Sequence, residues 1–196
     1  MRYDVVIVGA SWGALRALRK LLSGLPSTFE LPMILVPHRG KDSEHLLAHL
    51  LEDCSHMPVS EVEDKDALEP GHVYLAPANY HLLVDDDYHF SLTTDEPVRF
   101  SRPSIDVTFE SVADVYGPRS VGVVLTGANE DGSRGLRRIA DRGGLAIVQD
   151  PETAESRLMP AAALKAVPEA LVLPVEGISD HLATLQARTS RFGSRA

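Results

Sequence analysis

The residues best suited to chemistry stand near the start of the chain, in VVIVGASWGALRAL. Gly9-Ala10-Ser11-Trp12-Gly13 fits G-x-S-x-G between an apolar run and a helical pattern, the arrangement that presents a serine nucleophile. Flanking glycines allow a turn tight enough to lift Ser11 out of a sheet. The helix start behind it offers free N–H groups and a positive dipole end, which suit an anionic tetrahedral intermediate. Two other readings fit the same residues. One is a dinucleotide-binding turn, G-x-G-x-x-G/A, with Gly9 first and Ala14 last. Ser11 then replaces the middle glycine, and its Cβ hinders close approach of a pyrophosphate. His38-Arg39 rather than an acid ends the next apolar run, which leaves only an NADP version through Arg39. The other reading is a plain strand-to-helix turn with Ser11 as its cap.

A serine nucleophile needs a base and an orienting acid. In an open parallel sheet, functional residues gather at the carboxyl ends of the strands. Ser11 follows the first buried run, His38 closes the second, and Asp131 in TGANEDGSRG lies just past the third. All three therefore project to one edge. Of the eight histidines, His38 alone ends a long buried strand pattern. The chain order Ser-His-Asp differs from that of the α/β-hydrolases, which run serine, acid, histidine with strands ahead of the elbow. A different hydrolase scaffold is implied.

Other constellations are weaker. His45 and His49 are four apart, but Leu46, Leu47 and Ala48 between them lack the zinc-protease glutamate. His56, His72, His81, His89 and His181 fall near loops or hairpins without ligand spacing. The single cysteine, Cys54, excludes an internal disulfide and a multi-cysteine zinc site. Asp4 stands alone, without the acidic cluster of a phosphate acceptor.

The elements that must position these residues alternate. YDVVIVG (3–9) and LPMILVPH (31–38) read as strands buried on both faces, each followed by a helical leucine pattern, over 13–23 and 43–53. SVGVVLTG (120–127), GLAIVQD (144–150) and ALVLPV (170–175) continue the strands, with helices over 105–116, 132–142, 160–166 and 178–189. Ser104 is the expected cap of the 105–116 helix. Short extended runs at 58–63, 72–76, 80–84 and 88–92 predict an antiparallel hairpin region attached to the sheet edge. The fold class is α/β, a doubly wound, mostly parallel, Rossmann-like sheet. Residues 1–190 make one domain and 191–196 a disordered tail.

Composition bounds the partners. The chain has 196 residues, 44% of them apolar and 24% charged, with a formal charge of −9. That balance belongs to a soluble globular protein. It argues against binding nucleic acid or steering to anionic membranes. No apolar run approaches the roughly 20 residues of a membrane span, and no basic leader precedes the first strand. Cytoplasmic location is the expectation.

Six stretches in order resemble the catalytic domain of the chemotaxis protein-glutamate methylesterases. They are the elbow VVIVGASWGAL, the VPH strand end, EPGHVYLAPANYHLLV, RPSIDVTFESVA (102–113), VVLTGANEDGSRGL and QDPETAESRLMPAAAL. The resemblance spans about residues 4–175. It implies a Ser-His-Asp triad at Ser11, His38 and Asp131, the three residues that strand-end placement selects. It implies hydrolysis of glutamyl methyl esters on the cytoplasmic helices of chemoreceptors, often with deamidation of glutamines, and no metal or cofactor. The receiver domain that usually precedes this module has no counterpart in the sequence; a stand-alone esterase is the expectation, and a trimmed form or one regulated by a separate response-regulator protein are the alternatives.

Several positions depart from the family pattern. Trp12 replaces a threonine, Ala14 a glycine, Ala128 and Asn129 a Met-Gly pair, and Arg39-Gly40 a Met-Pro pair. The backbone N–H groups of Trp12 and Ala128 are the expected oxyanion donors. Trp12 could also narrow the groove or stack on substrate. Receptor methylation regions are acidic, as is this chain, so a positive rim of Arg39, Arg102 and Arg134 is the expected substrate-binding feature. Two alternatives are an esterase or amidase with another acyl substrate and a catalytically weak receptor-binding module.

Overall fold

The computed structural model describes residues 3–39 and 46–185. The expectations for His45 and for the 191–196 tail fall outside these residues. Seven strands form one sheet in the order β3-β4-β2-β1-β7-β8-β9, and every pairing in it is parallel. Its centre is β1 (Val5–Ala10), β2 (Met33–Pro37), β7 (Ser120–Val124) and β8 (Leu145–Gln149), with β9 (Leu171–Leu173) at one edge. These are the β-branched apolar runs. They are apolar throughout because both faces of the sheet are covered.

Alternate residues of β1 divide between two cores. Val5 and Ile7 join Ile105, Phe109 and Val112 of α3 (Ile105–Tyr116) and Leu136 and Ile139 of α4 (Ser133–Asp141). Val6 and Val8 join Leu18, Leu21 and Leu22 of α1 (Ala14–Ser23) and Ile178 and Leu182 of α6 (Val175–Ala183). Helix α2 (Leu46–Glu52) adds Leu51 to the second core, and α5 (Leu158–Ala166) adds Met159 and Ala163 to the first.

The expected hairpin region is corrected in part. Antiparallel pairing is confined to β5 (His81–Val84) and β6 (Phe90–Thr93). The earlier two runs, β3 (Val59–Glu61) and β4 (Val73–Leu75), instead extend the main sheet in parallel beside β2. They bury Val73 and Leu75 against the α1 side, where a hairpin standing off the edge would leave them exposed.

Strand order reverses at β1. The chain winds outward through β2 on one side and through β7, β8 and β9 on the other. The crevice at such a switch point is where parallel sheets place ligands. Here it is bounded by the loops that carry Ser11, His38 and Asp131.

Candidate active site

Ser11 sits in the turn from β1 to α1. Its N–H donates to Thr126 O at 2.9 Å and its carbonyl accepts from Ala14 N at 2.9 Å. The turn closes at Gly13, whose φ of 81° is left-handed; a Cβ there would lie 2.9 Å from Glu155 Oε2. Gly13, not Ser11, is the helix cap, which leaves the Ser11 hydroxyl uncommitted among the described residues. Thr126 Oγ1 donates to Trp12 O at 2.9 Å and fixes the far side of the turn.

His38 follows β2 and continues its ladder, donating its N–H to Ala10 O at 2.9 Å. Its Nε2 lies 2.7 Å from Asp131 Oδ2. Asp131 is 1% exposed. Its Oδ2 also accepts from Ile105 N at 2.7 Å, and its Oδ1 accepts from Ser104 Oγ, Asp106 N and Gly132 N, each at 3.0 Å. The carboxylate thus plugs the N-terminus of α3, where unpaired N–H groups and the helix dipole favour a negative charge. Burial pushes the Asp131 pKa up, but the His38 hydrogen bond and the N–H groups of Asp106 and Ile105 outweigh it. Together they hold the carboxyl below the ordinary range. Ser104 starts the helix without capping it through its own side chain; the hydroxyl is committed to Asp131.

Asn129 fixes the other face of the imidazole. Asp131 N donates to Asn129 Oδ1 at 3.0 Å, which orients the amide and leaves Asn129 Nδ2 against His38 Nδ1 at 3.1 Å. An amide nitrogen only donates, so Nδ1 accepts and the ring proton resides on Nε2, donated to Asp131.

Ser11, Trp12, His38 and Ala128 line one open cavity of about 810 Å³, with Leu15 and Leu47 supplying apolar wall. The backbone N–H groups of Trp12 and Ala128 carry no hydrogen bond among the described residues. Trp12 is 64% exposed and lines this cavity.

Arg39 and Arg102 line a second cavity, of about 380 Å³, whose wall His38 shares. Phe100 stands at its rim, fully exposed, in a two-residue turn. Val98 and Ser101 bond each other through N–H and C=O at 3.1 and 2.9 Å, and φ is 49° at Arg99 and 66° at Phe100. Arg134 lines neither of these cavities. It pairs with Glu110 on the α3–α4 face and lies 3.9 Å from Asp106 Oδ2.

His81 is marked by the sequence pattern only as a residue near a hairpin without ligand spacing. It is buried, and its Nδ1 accepts from Ser104 N at 3.2 Å while Nε2 faces Glu96 O at 3.2 Å. It therefore supports the loop that leads into α3. Its position opening an apolar strand pattern was the available signal.

Comparison with known proteins agrees with this architecture. The family model described as CheB methylesterase matches residues 6–182. A relative from Leptospira interrogans is 44% identical over 180 residues, covering 92% of this chain and 93% of its own. The protein-glutamate methylesterase/protein-glutamine glutaminase 1 of Carboxydothermus hydrogenoformans is 38% identical over 186 residues. That match takes in 92% of this chain but 54% of the relative. The crystal structure of the Thermotoga maritima CheB methylesterase catalytic domain superposes with a TM-score of 0.89 at 30% identity, covering 93% of this chain and 98% of the other.

Proposed function

Because this chain belongs to the CheB methylesterase family, we propose that it hydrolyses γ-methyl esters of glutamate side chains on chemoreceptor cytoplasmic helices, with Ser11, His38 and Asp131 as catalytic triad. The observation that carries the reading is the His38–Asp131 pair, seated beside a serine elbow and two free backbone N–H donors. Ser11 Oγ attacks the ester carbonyl carbon as its proton passes to His38 Nδ1, once the Asn129 amide has moved off that nitrogen. Asp131 keeps the other ring proton on Nε2 and stabilises the imidazolium that forms. The tetrahedral oxyanion accepts from Trp12 N and Ala128 N. Collapse breaks the carbonyl–methoxy bond, and the leaving oxygen takes the proton from His38 to depart as methanol. Water then repeats the sequence on the glutamyl-enzyme and regenerates Ser11. A glutamine side chain would follow the same course with ammonia leaving, in keeping with the second activity in the names of the relatives.

The test is methanol release from methyl-labelled receptor membranes, wild type beside Ser11→Ala. Removing a triad nucleophile lowers turnover by several orders of magnitude. Release that vanishes in the variant supports the reading. Equal release from both proteins refutes Ser11 as nucleophile, and no release from wild type refutes the substrate.

A further inference from the structure

We propose that the cavity between His38 and Phe100 is a carboxylate subsite, holding an acidic side chain that flanks the reacting glutamate ester in a polypeptide substrate. The inference rests on the esterase reading for its substrate and on the following geometry for its chemistry.

Arg39 and Arg102 both line this cavity. The Arg39 side chain is 4% exposed and one of its terminal nitrogens pairs with Glu61. Its Nε and Nη1 are buried and have no hydrogen-bond partner among the described residues. Arg102 is anchored by Nη1 to two main-chain carbonyls, Thr94 O at 2.6 Å and Asp95 O at 3.0 Å. Its Nε is also buried without a partner among the described residues. Burying N–H donors of a charged group unpaired is unfavourable by several times the value of an ordinary hydrogen bond. In native proteins such groups call for an explanation. A ligand that accepts these hydrogen bonds when it arrives supplies one.

The charge count selects the ligand. Glu61 neutralises Arg39, while Arg102 has no carboxylate partner among the described residues. The cavity therefore carries one uncompensated positive charge, in a chain whose formal charge is −9. A monoanionic carboxylate matches one positive charge; a phosphate dianion leaves a partly buried excess of negative charge. Guanidinium groups suit carboxylates because their fixed N–H geometry meets planar oxygens. Asn79, on the same wall, adds a neutral polar side chain.

Position selects its role. His38 lines both the cavity that holds Ser11 and this one, so the two adjoin at that residue. A substrate segment laid across His38 would place its ester in the first and a neighbouring side chain in the second.

The test has two arms. In the first, the Nε–H signals of Arg39 and Arg102 are followed by NMR in the full chain carrying Ser11→Ala, as N-acetylglutamate amide is added at constant ionic strength. Arg102→Gln and the charge-neutral pair Arg39→Gln/Glu61→Gln assign the signals. A saturable shift of both is expected. No shift, or a shift reached with less inorganic phosphate than carboxylate, overturns the proposal. In the second arm, two glutamyl methyl ester peptides differ only in Glu or Gln beside the ester. Wild type should favour the Glu peptide in kcat/KM by about tenfold, as a charge-assisted hydrogen bond allows. The ratio should fall toward one in either variant. A general loss of activity does not move this ratio, and either variant suffices if the other fails to fold. Unchanged preference overturns the subsite. Failure of wild type on both peptides, with the arginine signals still shifting, refutes the esterase reading and leaves the carboxylate site.

Discussion

At the scale of single residues, Asn129 sets the tautomer of His38. Its amide is oriented by Asp131 N, so it must donate to His38 Nδ1, and the imidazole is held between one donor and one carboxylate. Asn129→Asp replaces that donor with an acceptor. The imidazole would then face carboxylates through both nitrogens and hold a second proton that a general base must shed. We expect kcat/KM at neutral pH to fall by at least tenfold and to recover as pH rises, so the acid limb of the pH profile moves toward alkaline values. Asn129→Ala, which removes the donor without adding charge, should leave that limb free of the alkaline displacement. Asp131→Asn is expected to lower kcat by about 10⁴, because the amide can hold the wrong tautomer.

At the scale of elements, α3 and the loop after β7 act as one unit through Asp131. The carboxylate satisfies two backbone N–H groups of α3 and binds its own loop at Gly132. A carboxyl whose folded pKa is depressed contributes stability that is full above its unfolded value, about 3.9. That contribution is lost as pH falls through the folded value. The stability difference between wild type and Asp131→Asn should therefore be constant near neutrality and narrow in acid; urea unfolding across pH checks it. Gly132, with φ of 92°, would bring a Cβ to 2.7 Å from Ile105 Cγ2. Gly132→Ala should cost about 1–3 kcal/mol and displace the acid from the helix end.

Much of this was legible because long buried strands leave uninterrupted apolar runs. Strands β1, β2 and β8 fall within two residues of expectation and β7 within three; the elbow motif pointed to Ser11, and strand-end placement to His38 and Asp131, whose side chains lie 2.7 Å apart. The direction of β3 and β4 was not legible. Three-residue strands carry no mark of parallel or antiparallel pairing, and their partner is set by the free edge at β2. The His81–Ser104 contact was hidden for a different reason: it joins segments 23 residues apart through a fold the local pattern does not encode. Arg134 was expected beside the site on charge alone, but Glu110 and Asp106 hold it on the α3–α4 face.

At the scale of the whole molecule, the sheet with a helical layer on each face makes the crevice rigid from behind. Phe109 is fully buried in one of those layers. Phe109→Ala should destabilise by about 3–5 kcal/mol, as other large core truncations do, a large share of the roughly 5–15 kcal/mol that holds a domain together. Chemical denaturation measures it. Most exposed ion pairs, such as Arg138–Asp114 and Arg157–Glu152, should each prove worth under about 1 kcal/mol.

The turn at Arg99 and Phe100 has an evolutionary consequence. Two consecutive left-handed residues in a two-residue turn are the conformation that Asn-Gly adopts without effort, and arginine and phenylalanine do not. Exchanging them for Asn-Gly should raise the melting temperature, yet it would strip the aromatic ring from the mouth of the arginine-lined cavity. Selection for thermal robustness alone would erase this pair. Its presence marks the loop as a position where natural variants should trade durability against substrate choice, and a library randomised at these two positions, sorted separately for stability and for turnover, would return different winners.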